Sequence, residues 1–153
     1  MLVNQDFKDL FRVFNEYKVK YLVVGAYAVI YYAEPRYTKD LDIWVEPSLE
    51  NARLVWKALS DFGAPFEGVA LEDFCNPELV YQIGVAPNRI DIMMSIPGVE
   101  FSSAYERKVE STYGEEPIKI IAIDDLIEAK RTVDREQDRL DVKILEQAKS
   151  EKK

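Results

Sequence analysis

Two aspartates two residues apart, Asp40 and Asp42, stand in a run that otherwise reads as a buried strand: Lys39-Asp40-Leu41-Asp42-Ile43-Trp44-Val45. Successive strand side chains point to opposite faces. Leu41, Ile43 and Val45 therefore share one face, and Asp40, Asp42 and Trp44 share the other. Aspartate is disfavoured in strands, and two like charges on one face repel unless something neutralises them. A divalent cation would do so. A second segment, Arg89-Ile90-Asp91-Ile92-Met93-Met94, sets Asp91 between two isoleucines. Three strand-borne acids of this kind suggest a carboxylate metal site.

Composition narrows the chemistry further. The chain of 153 residues has no histidine, which removes His-based triads, His acid–base pairs and His-ligated zinc. Its single cysteine, Cys75, excludes internal disulfides and paired-thiol metal motifs, and is expected to be a packed side chain. Any catalytic metal must then be held by oxygen, which favours Mg²⁺ or Mn²⁺. A net charge of −8 argues against a surface that grips nucleic acid broadly, though not against a local basic patch. The N-terminus lacks a basic region followed by an apolar one, and no stretch has membrane-spanning length. A cytoplasmic protein without membrane contact is expected.

The elements that must position the acids follow from periodicity. Phe7, Leu10, Phe11, Phe14 and Tyr17 recur at helical spacing over 4–18. Residues 21–25 read as a short buried strand, 26–33 as a helix ended at Glu34-Pro35, and 40–45 as the acid-bearing strand. Pro47-Ser48 opens a helix over 49–62 that Gly63 closes. Pro65, Gly68 and Pro77 break any period across 64–78. Two hairpins are expected, 79–85 with 89–94 and 108–113 with 118–122, and then two helices, about 124–132 and 135–149.

Gly25 falls where a strand meets a helix. A glycine there lets backbone approach a phosphate, and the helix N-terminus that follows favours an anion. Further on, Leu126, Ile127, Lys130 and Val133 share a helical face, which places a cation on the stripe that should meet the core. Lys130 either reaches an anionic ligand or snorkels to water. Asp138 and Asp141 border the apolar seam of the last helix; Asp138 either orients Lys130 or an arginine, or pairs with Arg135. Arg131, Arg135 and Arg139 form a ladder of like charge, read as surface pairs with the interleaved acids or as a patch for RNA. Tyr27, Tyr31 and Tyr32 read as core or rim.

Val24-Gly25-Ala26 followed by Arg36-x-Thr38-x-Asp40-x-Asp42 resembles the signature of nucleotidyltransferases of the DNA polymerase β-like superfamily. Within it the chain is similar to small bacterial and archaeal proteins related to abortive-infection nucleotidyltransferase toxins. Ile90-Asp91-Ile92 matches the strand of the third carboxylate, and Asp125-Leu126-Ile127-x-x-Lys130 with Arg135-x-x-Asp138-x-x-Asp141 matches the C-terminal motifs. The resemblance covers roughly residues 20–147. It implies an α/β (α+β) polymerase β-like fold: a short mixed sheet flanked by helices and closed by a C-terminal helical pair. One domain over 1–153 is expected, with a core of about 20–122 and helices of about 123–149.

The resemblance implies Mg²⁺-dependent transfer of a nucleoside monophosphate from an NTP to an acceptor hydroxyl, with release of pyrophosphate. Asp40, Asp42 and Asp91 would be catalytic and hold the metal, with Asp91 helping to deprotonate the attacking hydroxyl. Gly25, Ala26, Arg36, Thr38 and Lys130 would bind nucleotide, supported by Arg135, Asp138 and Asp141. The acceptor would be a tRNA or other RNA 3′ end, a protein or a small molecule. A toxin–antitoxin or phage-defence setting, a cognate antitoxin or partner subunit and self-association are further expectations. Ala26 stands where the family usually has Gly or Ser, so a hydroxyl for the triphosphate is missing. That departure supports the competing reading, a catalytically silent module that binds NTP or a partner.

Overall fold

The computed structural model describes residues 3–33, 40–85 and 88–151. Six strands form one mixed sheet in the order β3-β4-β2-β1-β6-β5. They are β1 (Tyr21–Val24), β2 (Asp40–Val45), β3 (Val80–Ile83), β4 (Arg89–Met93), β5 (Val109–Tyr113) and β6 (Glu116–Ile120). The helices are α1 (Gln5–Glu16), α2 (Gly25–Tyr32), α3 (Leu49–Phe62), α4 (Phe101–Glu106), α5 (Ile123–Val133) and α6 (Glu136–Glu151). β2 runs antiparallel to β1 and parallel to β4, and β1 runs parallel to β6. The outer pairs β3–β4 and β5–β6 are antiparallel hairpins.

The α1 helix forms where its sequence directs. The Asn4 side chain accepts from the N–H groups of Asp6 and Phe7, satisfying donors that the helix leaves unpaired. Its apolar stripe buries Phe7, Leu10, Phe11 and Phe14, and the rings of Phe11 and Phe14 lie 6.1 and 5.6 Å from that of Tyr21. Tyr21 opposes Val45 and Val23 opposes Ile43, so the apolar face of β1 and β2 turns toward α1. The acids lie on the other face. On that face Trp44 is also buried, its ring edge-on to Phe101 of α4 at 5.0 Å.

Asn51 fixes the register of the central pair. Buried at the start of α3, it accepts from the Lys20 N–H at 2.9 Å and donates to the carbonyls of Lys20 and Glu46 at 3.1 and 3.0 Å. This clamps the start of β1 to the end of β2, and the ladder then sets Val24 opposite Asp42. A one-residue slip would turn the acids into the core.

The second hairpin turns more tightly than expected. Gly114 takes φ +61° at the first of two loop positions, so β6 begins at Glu116 rather than at 118. Two elements lie outside the sequence expectation: the short helix α4, and a 3₁₀ turn at Leu71–Cys75 that buries Phe74. Cys75 is a half-buried free thiol packed against the core. Among the described residues, no helix is long and apolar enough to cross a membrane.

Candidate functional site

The ladder between β2 and β4 brings the separated acids together. Asp42 is the register partner of Asp91, and Asp40 that of Arg89. Neighbouring strands lie about 4.8 Å apart and side chains two residues apart share a face. Asp40, Asp42, Arg89 and Asp91 therefore form one polar square on the sheet. Asp91 is 8% exposed, although it is charged and has apolar neighbours on both sides in sequence.

Gly25 meets this square directly. It has φ +67°, and a Cβ built on it would fall 2.1 Å from Oδ2 of Asp42. Only glycine fits, for its backbone conformation and for the space. The glycine admits the Asp42 carboxylate to the backbone at the start of α2. Ala26 follows within the first turn of α2.

Burial raises the Asp42 carboxyl to about 6, with the charges of Asp91 and Asp40 and a hydrogen bond to Asp91 adding to the shift; the nearby Arg89 charge opposes it. The pocket thus carries more negative charge than its own side chains neutralise. Arg89 answers part of it. Its Nε donates to Asp91 at 3.0 Å, and its Nη2 donates to Asp40 at 3.0 Å and to Asp91 at 3.2 Å. Sequence reasoning passed over Arg89, although its place two residues before Asp91 puts both on one face.

With Arg89 spanning Asp40 and Asp91, no three acidic side chains among the described residues enclose a cation as they stand. The donor set nonetheless consists of carboxylate oxygens, with the half-buried Asp42, raised by burial and by its acidic neighbours, among them, which suits a hard divalent cation.

The C-terminal residues gather elsewhere. Lys130 Nζ lies 3.0 Å from Asp141 and 3.6 Å from Asp138, and the three side chains are largely buried between α5 and α6. These two are the carboxylates within ion-pair distance of Lys130 among the described residues. Arg135 donates to Asp138 at 2.9 Å through Nε and at 3.2 Å through its backbone N–H. Burial acts to raise the Asp138 carboxyl, but those bonds and the Lys130 charge together hold it below its ordinary value. Asp125 is held by Arg107 at 2.8 and 3.0 Å, which ties α5 to the end of α4.

Each arginine of the ladder is paired: Arg131 with Glu146, Arg135 with Asp138 and Arg139 with Asp134. The arginines make the surface pairs that the sequence offered as one alternative. Tyr32 donates to the Ile121 carbonyl at 2.6 Å, and the Tyr27 ring lies 5.7 Å from that of Tyr113, so both are packing residues. Arg36 and Thr38 lie outside the described residues, as does the Glu34-Pro35 helix end.

The fold is similar to solved nucleotidyltransferase structures. The lincosamide antibiotic adenylyltransferase LnuA, solved with lincomycin bound, superposes with a TM-score of 0.60 at 18% identity, over 95% of this chain and 97% of that one. A Thermotoga maritima protein described as a candidate nucleotidyltransferase, TM1012, superposes with a TM-score of 0.61 at 13% identity, over 93% of each chain. No family model matches the chain, and no curated protein is significantly similar to it in sequence. At these identities the likeness establishes the fold, and the chain has the nucleotidyltransferase fold that the sequence resemblance implied.

Proposed function

We propose that the protein transfers a nucleoside monophosphate from an NTP to an acceptor hydroxyl, with Mg²⁺ or Mn²⁺ as cofactor. The observation that supports this most is the register: Asp42 beside Asp91 on parallel neighbours, with Gly25 against Asp42, in a nucleotidyltransferase fold. Asp40, Asp42 and Asp91 would hold the metal. When bound, divalent cations neutralise charge on the attacking and leaving oxygens. The start of α2 at Gly25 and Ala26 offers backbone N–H groups to the phosphates. The acceptor oxygen bonds to the α-phosphorus, its proton passes to Asp91, and the bond to the bridging oxygen breaks to release pyrophosphate. Lys130, held by Asp138 and Asp141, would stiffen the helical pair behind the site, and Arg36 and Thr38 would contact nucleotide as the resemblance implies.

The acceptor classes are an RNA or tRNA 3′ end, a protein and a small molecule. The lincomycin-bound state of LnuA makes a small-molecule hydroxyl worth testing alongside RNA. The toxin–antitoxin or phage-defence setting rests on the resemblance alone. A second reading, a silent module that binds NTP or a partner, is favoured by Arg89, which already satisfies two of the acids, and by the missing hydroxyl at Ala26. Purified protein with Mg²⁺ and each α-labelled NTP, offered cellular RNA, extract protein and a small-molecule fraction, separates the two. Label transferred by wild type and not by Asp42→Asn supports the transferase. NTP binding without transfer to any acceptor class supports the silent module.

A further inference from the structure

A second polar centre lies at the other end of β1, outside the acid square. Lys20 precedes Tyr21, which opposes Val45, whereas Asp42 opposes Val24. The two ends are separated by about 13 Å of strand. There a cavity of about 400 Å³ is lined by Asn15, Lys18, Lys20, Tyr105, Glu110 and Lys119, among others. The ammonium groups of Lys108, Lys119 and Lys20 lie 4.2, 5.5 and 6.0 Å from the centre of the Tyr105 ring, and Lys119 donates to the Tyr105 hydroxyl at 3.0 Å.

Cations converge here in a protein of net charge −8. Lys119 stands directly across the ladder from Glu110, the natural cross-strand partner, yet its ammonium turns to Tyr105. Among the described residues neither Lys18, Lys108 nor Lys119 has a carboxylate within ion-pair distance, and Lys20 has Glu46 at 3.8 Å. Lys18 adds a separate sign. It takes φ +58° where α1 ends, with its N–H on the Asn15 carbonyl and the Val19 N–H on the Phe14 carbonyl. Helices favour glycine at that position, and a lysine there is strained. The strain sets a further cation at the cavity. The Tyr105 ring is stacked on Phe101 at 5.4 Å and faced by the Lys108 ammonium at 4.2 Å, so it scaffolds the lysines.

We propose that this cavity is a phosphate-binding site built by Lys18, Lys20 and Lys119 around Tyr105, with Lys108 over the Tyr105 ring beside it. The ligand is a phosphate group, carried by a free polyphosphate or by the backbone of an RNA chain. The site does not rest on the transferase reading.

The test titrates ¹⁵N-labelled protein with tripolyphosphate and, separately, with a short oligouridylate, following amide shifts around residues 18–20, 105–108 and 119. Saturable shifts there are expected. Lys119→Gln and Lys18→Gly should each weaken binding by about tenfold, the loss of one charge-assisted contact. Lys18→Gly should do so while leaving thermal stability equal or higher, because glycine suits the backbone. Asp42→Asn should leave these shifts unchanged, so a failed transferase reading and a failed phosphate site are distinguishable. Tighter binding of the oligouridylate with a steep salt dependence identifies the RNA backbone; equal or tighter binding of tripolyphosphate identifies the free anion. Absence of shifts at these residues with both ligands, or shifts that both lysine variants leave unaltered, overturns the proposal.

Discussion

Replacing Asp42 with asparagine should stabilise the metal-free protein at neutral pH, although it removes a residue placed at the heart of the site. In the fold the carboxyl is raised from 3.8 to about 6, first by burial and then by Asp91 and Asp40. A carboxyl raised on folding contributes its full stability below the unfolded value, and that contribution is lost as pH rises through about 6. A two-unit shift corresponds to at most about 3 kcal/mol, and solvent at the rim of the site lowers this to roughly 1–3 kcal/mol. For a chain of this length, about 0.3 kcal/mol corresponds to one degree in Tm, which gives a rise of roughly 3–9 °C. Asparagine keeps the shape and carries no charge. Circular dichroism melts of wild type and variant in EDTA, from pH 4 to pH 8, provide the assay. The two curves should lie close together near pH 4, separate between pH 4 and pH 6 and stay apart above it, the variant being the more stable. Added Mn²⁺ should raise the wild-type Tm and leave the variant nearly unmoved. A variant less stable than wild type at pH 7.5, or a difference independent of pH, would refute the reasoning about accumulated charge.

Three further outcomes follow from named contacts. Gly25→Ala drives a Cβ into the Asp42 carboxylate at a backbone conformation alanine resists, so denaturant melts should show a loss on the order of 2–4 kcal/mol. Arg89→Gln removes the guanidinium that spans Asp40 and Asp91. Calorimetry should then find Mn²⁺ bound more tightly, on the order of tenfold, together with a lower metal-free Tm; unchanged metal affinity would mean that the arginine does not compete with a cation. Lys130→Met leaves Asp138 and Asp141 buried beside an uncharged chain, a loss of about 3–5 kcal/mol in thermal or urea melts. A stable variant with selectively weakened NTP binding would instead place Lys130 on the nucleotide.

The strands were legible because their alternation is local: Leu41, Ile43 and Val45 had to share a face, and Asp40 and Asp42 the opposite one. The nucleotidyltransferase fold was legible through the family resemblance that Gly25, Asp40 and Asp42 carry. Register was not, since the pairing of Asp42 with Asp91 joins strands almost fifty residues apart, and the Asn51 clamp that sets β1 against β2 likewise spans two chain segments. Arg89 was overlooked for a related reason. Its position on the face could be read, but its bridge to Asp40 requires β4 to lie beside β2. The alternatives for Lys130 stayed open in the sequence because the helical period fixes a face and not what meets it; the packing of α6 on α5 supplies Asp138 and Asp141. The helix α4 is six residues long and follows Pro97-Gly98, too short for a period to emerge, yet it carries Phe101 onto Trp44 and Tyr105 into the lysine cluster. Across 64–78, Trp56 stacks on Phe66 at 3.9 Å and Phe74 is buried, an aromatic order that leaves no repeat in sequence.

The central claim is that Asp42 and Asp91 act together as a cation site that serves a nucleotide. Electron paramagnetic resonance of Mn²⁺ titrated into the protein at pH 7.5, with and without a non-hydrolysable NTP, tests it most directly. Wild type should take up Mn²⁺, the NTP should strengthen that uptake, and both Asp42→Asn and Asp91→Asn should lose it. Equal uptake by wild type and the two variants, or none with the NTP present, would contradict that claim.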